Sequence, residues 1–581
     1  MMDCEKYFLG IRFVTPPIGL ESPIFGFATF VQALALLVII YMITDIRYRF
    51  RLKVAPIPLL NLTFILIGVI GIGTLLTDIW FANGWPMPNF LADQSMLQGL
   101  FGFIFLLLAM IWIYYAFINP PIFSEKNCRS FGNALYGAIL RGLDSELPII
   151  ANELARSAKP LVKLSKQIIL RRRNTVKKPE VETKRKPNVG DFAHDILLLM
   201  GNRKLCRHII ASSPVSAIEF FEAMTINEKY ELPIGQFAKN ISAEAIINKD
   251  SILYHEDEGF SSGLIGYLKP FSKAIYGNYL LVETLGSNFG SPLDIPYGMV
   301  FSWDAEQLKV YCRAVKITFK GYLEGENWYQ HSFVLYRAFE NIKNSLSDIY
   351  KLNDILIDYY STDIFKRLKT VVDFIKEIIK LIDKQETIPV TKLRVRGERT
   401  YEDFYDNIAN FIFEIILSAA SVTAPPDKCW TIHYNAVWRE FFSLLRKGKV
   451  WKIVHFKLRR ILYDEIRQLE ELPNYKSSAI LGFCLNVMGL KIREKQSYNI
   501  NYYPLHKAVL AWASNNYLRL KSTQPDVAKS CLIGSISFDE QGNQLVKTYL
   551  RGLELEAQKE YLELNPMESC ERVKKMDADS K

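Results

Sequence analysis

Apolar residues crowd the start of the chain into three runs, Ser22 to Tyr41, Leu59 to Ile79 and Leu97 to Phe117. At roughly 1.5 Å of rise per helical residue, each is about as long as a bilayer core is thick. They predict three transmembrane helices. After them the pattern changes. Residues 191 to 250 show apolar positions every three or four residues, as in DFAHDILLLMGNRKLCRHIIASS and SAIEFFEAM, and predict short helices. GNYLLVETL, YGMVFSW and QLKVYCRAVKITFKGYL are rich in β-branched and aromatic residues and predict strands. Helix returns over 331 to 385, and IPVTKLRVRG predicts one more strand. Helices then run from Thr400 to about Thr523. GSISFDEQGNQLVKTYL predicts a hairpin turning at Gly542 and Asn543.

The fold class expected is therefore a membrane-anchored α+β protein. Residues 1–120 form the three-helix anchor, 121–190 a helical connector and basic linker, 191–400 a mixed α+β domain, and 401–581 a mainly helical domain with a C-terminal hairpin. Within the connector, Leu154, Ala158, Leu161, Ser165 and Ile168 fall on one side of a helix, and Arg156, Lys159, Lys163 and Lys166 on the other. Pro160 predicts a kink or restart there.

Charge orients the anchor. Arg47, Arg49, Arg51 and Lys53 follow the first run, whereas the loop from 80 to 96 has no Lys or Arg. The positive-inside rule puts the first loop in the cytoplasm, the N-terminus outside and everything after Phe117 inside. Lys6 and Arg12 oppose this weakly. The expected location is the plasma (inner) membrane, multi-pass, with most of the chain cytoplasmic. The spans carry almost nothing ionisable, which disfavours a transporter. Gly68, Gly71, Gly73, Gly99 and Gly102 permit close helix packing.

The net charge of +10 suits an anionic membrane surface or a nucleic acid. Its densest stretch is 171–190, with Arg171, Arg172, Arg173, Lys177, Lys178, Lys184, Arg185 and Lys186. These are the candidate contacts to lipid headgroups or a polyanion. The eight cysteines form no CxxC pair, which argues against a disulfide framework or structural zinc site.

Candidate chemistry is sparse. His194 and Asp195, with His208, are the side-chain types of a metal-dependent phosphohydrolase. Asp294, Asp304, Glu306 and Lys309 are those of a metal-dependent nuclease, in which carboxylates hold the metal and a lysine positions water. His255, Glu256, Asp257 and Glu258 form a polar cluster with carboxylates for a divalent cation. His331, His433, His455 and His506 read as packed or surface side chains. The phosphate-loop, HExxH, GxSxG and dinucleotide motifs are absent.

The function these features favour is a membrane-anchored cytoplasmic sensor or scaffold that binds a protein partner and self-associates. Its architecture is one met in bacterial defence and signalling systems. No cofactor is expected on this reading. A membrane-anchored nuclease or phosphohydrolase using a divalent metal is one alternative, and a subunit of an oligomeric channel is another. Nucleic acid remains a partner open to the basic linker.

Overall fold

The computed structural model describes residues 6–8, 11–14, 24–43, 45–88, 93–166, 187–256, 261–262, 266–267, 270–288, 290–296, 298–325, 331–355, 358–386, 404–443, 448–496, 499–549 and 557–566. The protein is mostly helical. It divides into two units, residues 1–245 with 288–290, and residues 246–287 with 291–581. The division expected at residue 190 falls inside the first unit.

In the first unit, β1 (Lys6–Phe8) and β2 (Ile11–Val14) form a hairpin, and β2 pairs with β3 (Met87–Pro88) in the loop after the second apolar run. The apolar runs form α1 (Phe27–Ile43), α3 (Leu59–Ala82) and α4 (Gln94–Ile113), the last prolonged by a π-helical turn, Tyr114–Ile118. Two helices, Leu59–Ala82 and Gln94–Ile118, are long and apolar enough to cross a membrane. α1 has 17 residues, about 26 Å of helix, and is not one of those two. A sharp bend of 108° separates it from α2 (Ile46–Lys53).

The three apolar helices meet through glycines and one polar knot. A Cβ on Gly71 would touch the Phe30 ring, one on Gly73 the Phe101 ring, and one on Gly102 the Phe25 side chain. The glycines are thus sockets for phenylalanines within the bundle. Gln98 is buried and donates from Nε2 to Asp78 Oδ1 at 3.0 Å. Asp78 Oδ2 accepts the Phe27 N–H at 2.8 Å, and Gln98 Oε1 accepts the Ile24 N–H at 2.9 Å. These two side chains satisfy amides at the start of α1, which helix geometry leaves without partners. Outward-facing residues such as Phe64, Ile72, Phe103 and Leu106 remain more than half exposed, an apolar surface with no protein partner among the described residues.

Below the bundle, α5 (Cys128–Arg141), α6 (Leu147–Arg156), α7 (Ala158–Leu164), α8 (Val189–Leu199), α9 (Arg203–Ser212), α10 (Pro214–Ile226) and α11 (Gly235–Ile247) pack as short amphipathic helices. The expected stripe is present: Leu154, Ala158, Leu161 and Ser165 are buried, while Arg156, Lys159 and Lys163 are exposed. The helix breaks at Ser157, whose Oγ accepts the Phe123 N–H at 3.1 Å. The buried stripe packs on α10, so it serves a protein core rather than lipid. Ile168 lies outside the described residues.

α2 is the elbow between bundle and base. Arg51 on α2 is buried and makes a bidentate pair with buried Glu153 on α6, Nε to Oε2 at 3.0 Å and Nη2 to Oε1 at 2.6 Å. Its Nη1 donates to Ala116 O at 2.7 Å in the π-helical turn. That carbonyl cannot be satisfied by residues 120 or 121, because both are prolines without an N–H. Asn127 adds a second tie, donating to Val54 O and Ile122 O. Around them Leu52, Ala55, Leu59 and Ala116 form an apolar cluster with Tyr41, Tyr48, Ile111, Trp112 and Tyr115 against it.

The second unit contains α12 (Ile252–His255), β4 (Ser261–Ser262), β5 (Gly266–Tyr267), α13 (Pro270–Tyr276), α14 (Tyr279–Asn288), α15 (Ala305–Glu324), α16 (Phe333–Asn344), α17 (Asp363–Asp383), α18 (Phe404–Ala420) and α19 (Pro426–Trp430). A π-helix, Thr431–Trp438, follows, then α20 (Arg439–Phe442), α21 (Lys449–Arg467), α22 (Tyr475–Met488), α23 (Tyr503–Thr523), α24 (Pro525–Ser530) and a sheet of β6 (Ile536–Asp539), β7 (Gln544–Tyr549) and β8 (Gln558–Glu563). The strands expected over 277–323 are helices instead: YLLVETL lies in α14, MVFS in a 3-10 turn, and QLKVYCRAVKITFKGYL in α15. Asp304 starts α15 with a capping box closed by Gln307, and Leu308, Tyr311, Val315, Phe319 and Tyr322 then recur at helical spacing and are buried. That period outweighs the β-branched content. The expected hairpin is present as β6 and β7, antiparallel with Asp539 opposite Gln544. The expected strand IPVTKLRVRG lies outside the described residues.

Glu153→Gln leaves Arg51 as a buried charge without its counter-ion. It is expected to destabilise the protein by about 3–5 kcal/mol. Arg51→Met combined with Glu153→Leu is expected to recover most of that loss. Thermal unfolding of the wild type and the two variants in detergent measures it, and a loss below about 1 kcal/mol for Glu153→Gln contradicts the role assigned to the pair.

Candidate functional site

The structure does not gather the residues singled out by sequence into one site: His208, Asp294, Asp304, Glu306 and Glu256 each have local partners of their own. His194, half-buried, and Asp195, exposed, lie on α8. His208 on α9 instead meets Asp144, Nε2 to Oδ1 at 3.0 Å, and Lys204 Nζ reaches the same oxygen at 3.0 Å. Lys204 and then His208 hold the Asp144 carboxyl below its ordinary range. Asp294 accepts the Ser291 N–H and pairs with Arg337 at 3.2 Å. Asp304 caps α15, and Lys249 bridges Asp304 at 2.5 Å and Glu306 at 3.3 Å. Burial works against the charged form of Asp304, yet Lys249 and the capping N–H groups hold its carboxyl below the usual range. Lys309 is exposed on α15.

The acidic turn is also divided. His255 is exposed. Glu256 is buried and accepts the N–H groups of Phe271 at 2.7 Å and Ser272 at 3.1 Å, with the Ser272 hydroxyl against its other oxygen. It therefore serves the start of α13. Asp257 and Glu258 lie outside the described residues, as do Arg171, Arg172, Arg173, Lys177, Lys178, Lys184, Arg185 and Lys186. Among the described residues, no three His, Cys, Asp or Glu side chains are grouped to hold a metal ion.

A constellation that sequence reasoning missed lies deep in the second unit. Cys429 on α19 and His433 on the π-helix stand four residues apart, with Sγ 3.5 Å from Nδ1. Asn486 on α22 reaches both, Nδ2 to Nδ1 at 3.1 Å and Nδ2 to Sγ at 3.5 Å. Lys547 on β7 donates to Asn486 O and lies over the rings of Trp430 and Tyr549, each centroid 4.7 Å away. The positive φ of Gly534 brings its backbone against the group; a Cβ there would come within 3.0 Å of Cys429 Sγ. The C-x-x-x-H spacing was the one available sequence signal, and nothing local pointed to Asn486 or Lys547.

These are the side-chain types of a thiol nucleophile and its base. Their environment selects the opposite chemistry. All four residues are at most 1% exposed. Burial pushes the Cys429 thiol up to about 12, the His433 imidazole down to about 4 and the Lys547 amine down to about 8. A thiolate–imidazolium pair is thus disfavoured, and the thiol and imidazole form a neutral hydrogen-bonded plug. His433 Nε2 is paired with Ala419 O at 2.9 Å. His455 and His506 repeat the device, with Nε2 at 2.7 Å from Phe441 O and 3.0 Å from Gly489 O.

The second candidate lies in the first unit. A cavity of about 470 Å³ opens beside the elbow, between α2, α5 and the start of α6. Arg49, Lys53 and Arg141 supply cationic groups, Glu146 the one carboxylate, and Ile46, Phe50, Ala138 and Ile150 apolar wall. Arg141 is already engaged by Glu146, at 2.8 Å. Arg49 Nε is buried without a hydrogen-bond partner. A cavity of this size, apolar walls and a few charged groups are the attributes of a ligand site.

Comparison with family models, curated proteins and solved structures finds no match to this chain.

Two outcomes test the plug. His433 is protonated in the unfolded chain below about 6.5 but resists protonation in the folded state until about 4. The unfolded state therefore binds the extra proton between those values, and stability falls as pH drops through that window, by up to about 3 kcal/mol. Denaturant unfolding from pH 7.5 to about 4.5 is expected to show a shallower loss for His433→Gln than for the wild type. In a Cys4→Ser, Cys570→Ser background, a maleimide at pH 8 is expected to label half-buried Cys128 first. Labelling of Cys429 at the same rate would show an exposed thiolate and overturn the assignment.

Proposed function

We propose that this chain is a multi-pass membrane protein of the plasma (inner) membrane that works as a non-enzymatic scaffold or sensor. α1 forms a third span beside Leu59–Ala82 and Gln94–Ile118. The N-terminal strands lie outside, and the chain after Phe117 lies in the cytoplasm, where it binds a protein partner and self-associates.

The observation that carries this reading is the welded elbow. Arg51 joins the ends of apolar helices to a cytoplasmic-type helical base through a buried pair and a backbone carbonyl. An anchor serving only as a tether needs no such junction. A protein that must hold its base at a fixed angle to the bilayer does. The exposed apolar faces of α3 and α4 support lipid contact, and Arg47, Arg49 and Lys53 beside the elbow support its cytoplasmic placement. Asp304 caps a helix and His208 and Asp294 form local ion pairs, which favours a structural role for these candidates over catalysis.

Full-length protein in native membranes is expected to resist alkaline carbonate extraction. A cysteine placed at Asn83, between α3 and α4, should react with an impermeant maleimide from outside. A C-terminal tag should be protease-sensitive only after the membrane is opened. Cross-linking before solubilisation should trap the chain with a second copy or another protein. A chain that is extracted by carbonate removes the anchor, and one that stays monomeric and partnerless under cross-linking removes the scaffold.

A further inference from the structure

The elbow cavity combines two features, positive charge in excess of its one carboxylate and an apolar wall. Arg49 and Lys53 are four residues apart on α2 and so share one face. Neither has an ion-pair partner among the described residues, whereas Arg141, across the cavity on α5, is half-neutralised by Glu146. Two cations on one helix turn, facing a third across a cavity of about 470 Å³, match the several oxygens of a phosphate group.

Position selects the source of that phosphate. α2 follows directly on apolar α1, and only residues 54–58 separate it from α3. The cavity therefore sits where an apolar helix ends and headgroups begin. On α5 and just after it, Leu140 and Leu143 project 66% and 47% exposed. A diffusing anion has no use for exposed leucines beside its site, but an acyl chain does. Ile46, Phe50 and Ile150 give the glycerol end of a lipid an apolar surface.

We infer that this cavity is a binding site for the headgroup of an anionic phospholipid, held by Arg49 and Lys53 with Arg141 opposite. The inference rests on the membrane reading above. An occupied site would tie a lipid to the helix that sets the angle between bundle and base, so lipid charge would stiffen the elbow.

The test uses full-length protein in phosphatidylcholine nanodiscs with or without a minor fraction of phosphatidylglycerol, and native mass spectrometry of the retained lipid. The wild type is expected to retain phosphatidylglycerol. Arg49→Gln with Lys53→Gln should retain about tenfold less. Gly137→Leu tests occlusion without changing charge. Gly137 lines the cavity and a Cβ there meets only Arg141 Nη1, at 3.7 Å, so leucine has room to fill the space and favours the helix. It too should lose the lipid, with an unchanged melting temperature. Arg156→Gln with Lys159→Gln removes the same charge from exposed positions outside the cavity and should behave as wild type.

Equal retention by wild type and both cavity variants overturns the site. Displacement of the lipid by inorganic phosphate at matched concentration overturns the lipid as ligand and assigns a soluble anion. Carbonate extraction of the same wild-type sample separates the two proposals. Protein that stays with the membrane but binds no phosphatidylglycerol sinks only the cavity, and extracted protein sinks the anchor with it.

Discussion

The pair between Arg51 and Glu153 is the constraint on which the first unit turns. Both side chains are buried, and taking two charges out of water costs several kcal/mol per ion. Only a bidentate geometry with further hydrogen bonds offsets that cost, and Arg51 has both: two bonds to the carboxylate and one to Ala116 O. Such a pair adds little net stability over an apolar substitute. What it adds is a single allowed arrangement. Any tilt of α2 relative to α6 or to the end of α4 breaks charge-assisted bonds in a site that water does not reach. The two prolines after Asn119 complete the logic, since they leave a carbonyl that only a side chain can satisfy.

The second unit solves a related problem with neutral groups. Its long buried helices place histidines where a polar atom is needed between helix ends, and each imidazole closes on a backbone carbonyl. The plug of Cys429, His433 and Asn486 extends this, filling the space where α19, the π-helix and α22 converge. Residue types that serve catalysis elsewhere are here matched to burial, and burial fixes their protonation. A nucleophile needs its charged form and access to substrate. Burial behind the backbone of Gly534 disfavours both.

The functional reading follows from where charge is left over. At the elbow, Arg49 and Lys53 have no ion-pair partner among the described residues, whereas Arg51 beside them is paired with Glu153. The proposed lipid site rests on that positive charge next to apolar helices, and the cavity gives it a shape.

The sequence by itself determined the apolar runs, the asymmetric loop charges, the buried stripe through Leu154, Ala158 and Leu161, and the hairpin at Gly542 and Asn543. Each is a short-range pattern, written in the spacing of neighbouring residues. It misled over 305–324, where β-branched residues sit at helical spacing and a capping box at Asp304 decided the matter. The tertiary structure alone decided the rest. Arg51 finds Glu153 from 102 residues away, and Cys429 finds Asn486 from 57. It also showed that the stripe of the connector covers protein and that the chain turns sharply after the first apolar helix. The physical reason is one of range. Periodicity and capping act within a few residues, whereas the partner of a buried charge is fixed only once the chain has packed.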